Sequence, residues 1–155
     1  MMTICKEVLE FLAGKTLATA ESCTGGGIGE AITAVPGASE VYKGGIISYC
    51  NAVKRDILHV EEEILEKYGA VSAPVAEAMA IGARNALESD VAVSVTGLAG
   101  PSADEFGNPV GTVFVGYADE RHVTSRHFLF AGDREQVRRQ AIFAALKLIL
   151  EENRG

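Results

Sequence analysis

The stretch Thr16–Gly27, TLATAESCTGGG, decides the fold. Its first half, Thr16–Glu21, alternates and opens on a β-branched residue, which predicts a strand. Its second half places three glycines behind Ser22, Cys23 and Thr24, the composition of a turn. A helical stretch then continues to Ala34, and Val35-Pro36-Gly37 breaks it. Strand, glycine turn and helix in that order begin an α/β unit.

The same alternation of elements continues outward from this stretch. Upstream, Ile4, Val8, Leu9 and Leu12 recur at helical spacing over residues 2–13, and Gly14 ends the run. Downstream, residues 38–43 read as a short helix or turn, and Gly45–Cys50 as a second strand. Asn51 is placed to cap a short helix over 52–58, and Glu61–Tyr68 forms another, with acids at its start. Ser72 is a suitable N-cap for a helix to Leu87, which carries Val75, Met79, Ala83 and Leu87 as an i, i+4 stripe. Val91–Thr96 is a third strand, and Gly97–Val110 a loop. Gly111–Asp119 and Val123–Phe130 form a hairpin. Asp133 with Gln136 forms a capping box for a final helix to Asn153. The order predicts an α/β layered fold around a mixed, mostly parallel sheet with a late antiparallel hairpin, in one domain over 1–155.

Composition narrows the function classes. The chain has 155 residues, 48% of them hydrophobic and 23% charged, which suits a globular domain. A net charge of −7 disfavours nucleic acid as a partner, since neutralising phosphates needs clustered Lys and Arg. Apolar runs such as Ile142–Leu146 fall far short of the ~20 residues that cross a bilayer. Lys6, Glu7 and Glu10 interrupt any signal-peptide core. Three cysteines without C-x-x-C spacing point away from a disulfide framework and from zinc. These readings predict a cytoplasmic protein with no membrane and no nucleic-acid partner.

Several segments carry chemistry. Ser22 stands at a strand end before a glycine-rich helix start, where unpaired N–H groups can hold an oxyanion or a phosphate. Its hydroxyl, or that of Thr24, can equally serve as a helix cap. A serine nucleophile needs a base. His59, His122 and His127 form no recognisable triad, the last two lying on the hairpin and facing opposite ways. Lys54 is the better base if the apolar strand before it supplies burial, and is otherwise a solvated lysine. Asn51 shares its helix face. Cys23 is a weaker nucleophile candidate, read mainly as a small buried hydrophobe. The glycine- and proline-rich loop Thr96–Thr112, with Gly97 and Gly100, follows a buried strand, where ligands bind in α/β sheets. Its Asp104-Glu105 pair is too isolated for a metal site. Arg134 and Arg138, one turn apart, can clamp a phosphate or carboxylate, or pair with surface acids.

Six stretches together resemble one family. They are Leu17–Gly26 (LATAESCTGG), Gly44–Val60 (GGIISYCNAVKRDILHV), Gly69–Val75 (GAVSAPV), Val95–Pro101 (VTGLAGP), Pro109–Val113 (PVGTV) and Gly132–Arg139 (GDREQVRR). In this order they resemble the CinA C-terminal domain, or nicotinamide-nucleotide amidase, family in its stand-alone form. The resemblance implies a three-layer α/β/α fold and a homo-oligomer. It implies hydrolysis of the carboxamide of nicotinamide mononucleotide to nicotinic acid mononucleotide and ammonia, in pyridine-nucleotide recycling, with neither metal nor other cofactor. It implies a serine nucleophile, a lysine base and an assisting tyrosine, roles that fall on Ser22, Lys54 and Tyr49. Substrate contacts are expected at Thr24, Gly25, Gly26, Asn51, Gly97, Gly100 and Arg138. One departure stands out: members usually carry a glycine-richer loop ending in Lys-Pro, and here Asn108 replaces that lysine.

Overall fold

The computed structural model describes residues 1–153, so residues 154 and 155 of the expected domain lie outside the described residues. Five strands form one sheet: β1 (Leu17–Glu21), β2 (Tyr42–Ile47), β3 (Val91–Gly97), β4 (Thr112–Ala118) and β5 (Val123–Leu129), in the order β2-β1-β3-β4-β5. β1 pairs in parallel with both β2 and β3, whereas β3–β4 and β4–β5 are antiparallel. Four strands therefore point one way and only β4 opposes them.

Six helices flank the sheet: α1 (Met2–Phe11), α2 (Gly27–Thr33), α3 (Asn51–Asp56), α4 (Glu62–Tyr68), α5 (Ala73–Leu87) and α6 (Arg134–Glu152). The period of two along each strand divides the core. Leu17, Val91, Val93, Val95, Val113 and Val115 pack with α1, α2 and α6 on one face. Ala18, Ala20 and Ala92 meet α4 and α5 on the other. The result is the three-layer α/β/α arrangement. The α5 face carries small side chains because the helix lies close: a Cβ at Gly116 would collide with the Ala76 carbonyl.

Three local expectations change. β2 spans Tyr42–Ile47 rather than 45–50, and is preceded by a 3-10 turn, Ala38–Glu40. Its ladder ends where β1 does, at Glu21↔Ile47. Beyond that the Ser48 amide folds onto the Glu21 carbonyl, and the chain turns into α3. Cys50, not Asn51, occupies the N-cap position of α3, in extended backbone. Ser72 does hold the N-cap position of α5, but its hydroxyl donates to the Gly69 carbonyl instead of capping the helix. The capping box of α6 is present as read, with Asp133 and Gln136 bonding reciprocally.

Candidate active site

The site lies at the carboxyl ends of β1 and β3, where this sheet class exposes unpaired backbone. Ser22 leaves β1 with its amide donating to Val95 of β3. The chain then turns through Gly25 (φ +58) and Gly26 (φ +101), a left-handed pair that favours glycine.

Neither Ser22 nor Thr24 caps α2. The donors at that helix start are held by Glu21. This carboxylate is 2% exposed and accepts from the Ile28 amide at 2.9 Å, the Gly29 amide at 3.0 Å and the Thr24 hydroxyl at 2.7 Å. An anion built into the helix start stabilises it and occupies those amide donors, leaving neither N–H for a ligand phosphate. The Thr24 and Gly26 amides, by contrast, meet no protein acceptor among the described residues. Sequence reading passed over Glu21. The available signal was a lone carboxylate ending an otherwise uncharged strand just ahead of a helix start.

From the other side the turn is gripped by α6. Arg138 donates Nε to the Cys23 carbonyl at 3.0 Å and Nη2 to the Thr24 carbonyl at 3.1 Å. Arg138, expected at the substrate, has two of its donors on the turn. The surface pair on this helix is Arg139 with Glu135.

Lys54 is brought to Ser22 by α3, 32 residues along the chain. Its Nζ lies 3.1 Å from Ser22 Oγ and 2.7 Å from the Ser48 carbonyl. The side chain is only 2% exposed, and burial lowers its pKa from the ordinary 10.5. No salt bridge joins it to an acid among the described residues. The amine thus combines a burial-lowered pKa with a serine hydroxyl in hydrogen-bond reach. Asn51, three residues earlier, stays exposed, because it opens the helix on the solvent side.

Tyr49 is 62% exposed, and its hydroxyl accepts from Arg134 Nη2 at 3.0 Å. Arg134 also donates Nη1 to the Gly100 carbonyl, at 2.6 Å. Gly97 serves packing: a Cβ there would stand 2.7 Å from Val113 Cγ2. In the loop beyond, Asp104 accepts from the Asn108 side chain at 2.7 Å and from the Phe106 and Asn108 amides. Asn108 also donates to the Val71 carbonyl. The acid at 104 is thus committed to its own turn.

The other nucleophile and base candidates lie elsewhere or are quenched. Cys23 is buried, which pushes its thiol up to about 11, against the opposing pull of Arg138. His127 stacks on Phe114, with ring centroids 4.5 Å apart, and His122 sits in the β4–β5 turn beside Asp119 and Glu152. A groove of about 870 Å³ between β5 and α6, lined by Phe128, Phe130 and Phe143, includes neither Ser22 nor Lys54.

The model of the CinA C-terminal domain matches residues 3–153. The chain belongs to the CinA C-terminal domain family. The family's CinA-like protein from Geotalea daltonii is 49% identical over 139 residues, 90% of this chain and 34% of that protein. The CinA-like protein from Synechococcus sp. is 62% identical over 102 residues, 66% of this chain and 24% of that protein. The chain thus spans about a third or less of the length of these relatives. Solved CinA-type structures follow the same fold. The competence damage-inducible protein A of Klebsiella pneumoniae superposes with a TM-score of 0.95 at 33% identity, over 97% of this chain and 95% of that one. A CinA superfamily protein of Escherichia coli gives 0.94 at 34% identity, over 97% and 88%. No helix among the described residues is long and apolar enough to cross a membrane.

Proposed function

We propose that this CinA C-terminal domain hydrolyses the carboxamide of nicotinamide mononucleotide, giving nicotinic acid mononucleotide and ammonia. One observation supports the reading above the rest: a buried lysine with a lowered pKa stands 3.1 Å from a serine hydroxyl at a strand end. General bases work best when their pKa approaches the operating pH, and burial moves Lys54 in that direction.

In the proposed steps, neutral Lys54 takes the Ser22 proton directly, and Oγ attacks the amide carbon. The Thr24 and Gly26 amides face the oxyanion that forms. As the C–N bond breaks, the Lys54 ammonium returns the proton to the leaving nitrogen, and ammonia departs. Water, deprotonated by the same amine, then attacks the acyl-serine ester; as the ester C–O bond breaks, the Lys54 ammonium returns that proton to Ser22 Oγ, and the acid product leaves as its carboxylate. Tyr49 directly follows Ser48, whose carbonyl holds the Lys54 amine, and its hydroxyl is held by Arg134.

Ammonia release from the mononucleotide by the purified chain is the test. Ser22→Ala is expected to abolish it while leaving the thermal melt in place. Tight binding without turnover would turn the reading toward a nucleotide-binding module; turnover of some other small amide alone would change the substrate.

A further inference from the structure

Arg134 and Arg138 of α6 hold backbone carbonyls and Tyr49. Arg138 grips the Ser22 turn, and Arg134, one turn earlier, joins the Tyr49 hydroxyl to the Gly100 carbonyl. These groups come from three segments far apart in sequence: the turn after β1, the link after β2 and the loop after β3. Their common element is the first turn and a half of α6. That start is itself rigid, because the Asp133–Gln136 box closes immediately around Arg134.

Tyr49 has little else to fix it. It is 62% exposed, follows the end of β2 and precedes α3. An exposed tyrosine ring samples several rotamers unless its hydroxyl is held. The guanidinium of Arg134 is a planar fork, able to serve two acceptors at once in one fixed geometry. With one arm on a main-chain carbonyl at 2.6 Å, the other can fix a side chain.

We propose that Arg134 is a positioning residue: it holds Tyr49 in place against the loop after β3 and so sets the rim of the Ser22–Lys54 centre. The proposal deepens the amidase reading and rests on it for its kinetic part. Arg134 acts through Tyr49 and is not assigned a contact with the reacting atoms.

A double-mutant cycle on ammonia release tests it. Arg134→Ala is expected to lower kcat/KM by about tenfold to 100-fold, and Arg134→Lys to recover little, lacking the fork. Arg134→Ala combined with Tyr49→Phe is expected to be no worse than the weaker single variant. The second measurement is independent of activity. In ring-13C-tyrosine NMR spectra of the chain, whose four tyrosines are assigned by substitution, Arg134→Gln is expected to move the Tyr49 signal and leave Tyr42 and Tyr117 unchanged. Fold-changes that multiply across the cycle, or a Tyr49 signal that stays in place, overturn the proposal. A wild-type chain that releases no ammonia sinks the amidase reading alone, and the Tyr49 signal then decides for Arg134.

Discussion

The two ends of this sheet bury polar groups in opposite ways. At the carboxyl end of β1, the Lys54 amine is buried against a hydroxyl and a carbonyl, with no acid in a salt bridge among the described residues. At the far end, Asp119 follows β4 and is also buried, but its partners are complete. It accepts from the Tyr117 hydroxyl at 2.7 Å and from the Arg121 and His122 amides at 2.8 and 2.9 Å. Asn153 then donates to the Tyr117 hydroxyl, tying α6 to the strand. The consequences for protonation diverge. Burial lowers the Lys54 pKa. Burial alone would raise the Asp119 carboxyl, but the Tyr117 hydroxyl and the two amides outweigh it and hold it below 3.8. A satisfied buried charge strengthens the fold, while an under-compensated one is free to exchange a proton.

Substitution at the two ends sharpens the contrast. Lys54→Met is expected to cut ammonia release by at least ~100-fold, yet to leave stability unchanged or higher by up to about 1 kcal/mol, since an uncompensated buried amine is replaced by apolar volume. Asp119→Ala is expected to do the reverse. It removes the acceptor of the buried Tyr117 hydroxyl and of two amides, costing roughly 2–3 kcal/mol in urea unfolding, with kcat/KM retained. A Lys54→Met protein that unfolds as easily as the Asp119 variant would break the comparison.

The pH dependence differs in the same way. Lys54 has a folded pKa below its unfolded value of 10.5, so the unfolded chain binds more protons between the two. Its penalty is fully present below the folded pKa and is relieved as pH rises toward 10.5, whereas kcat/KM should climb as pH passes the folded pKa and level off above it. Asp119, held below 3.8, contributes stability above that value and loses it as pH falls through its folded pKa. Rate profiles and denaturant melts across pH, on wild type and each variant, separate the two limbs. The smallest effect is expected at Asn108→Lys, which removes the side-chain amide bonds to Asp104 and the Val71 carbonyl. It should cost about 1 kcal/mol and shift KM rather than kcat, read by steady-state assay and thermal melt.

Much of the fold was legible because periodicity and capping are local. The α6 capping box, the β3 strand and the late hairpin depend on residues a few positions apart. The end of β2 was misplaced because it is decided by a bond between Ser48 and Glu21, 27 residues away. Asn51 was misread as a cap because its neighbour Cys50 adopts the extended conformation that the cap position needs. The grip of Arg138 on the Cys23 and Thr24 carbonyls, 115 and 114 residues away, has no local signature.

By itself, the sequence determined the alternation of elements, the glycine turn after β1, and a short list of groups able to act, with Ser22 and Lys54 among them. Residue type and spacing suffice for that, since they set backbone preference and intrinsic reactivity. Only the tertiary structure decided which groups meet. Lys54 becomes a base candidate through burial and a 3.1 Å approach to Ser22, Glu21 becomes an internal anion for α2, and the α6 arginines become braces for the site. Each depends on solvent exclusion and on distances between segments separated by up to 115 residues, which no local pattern encodes.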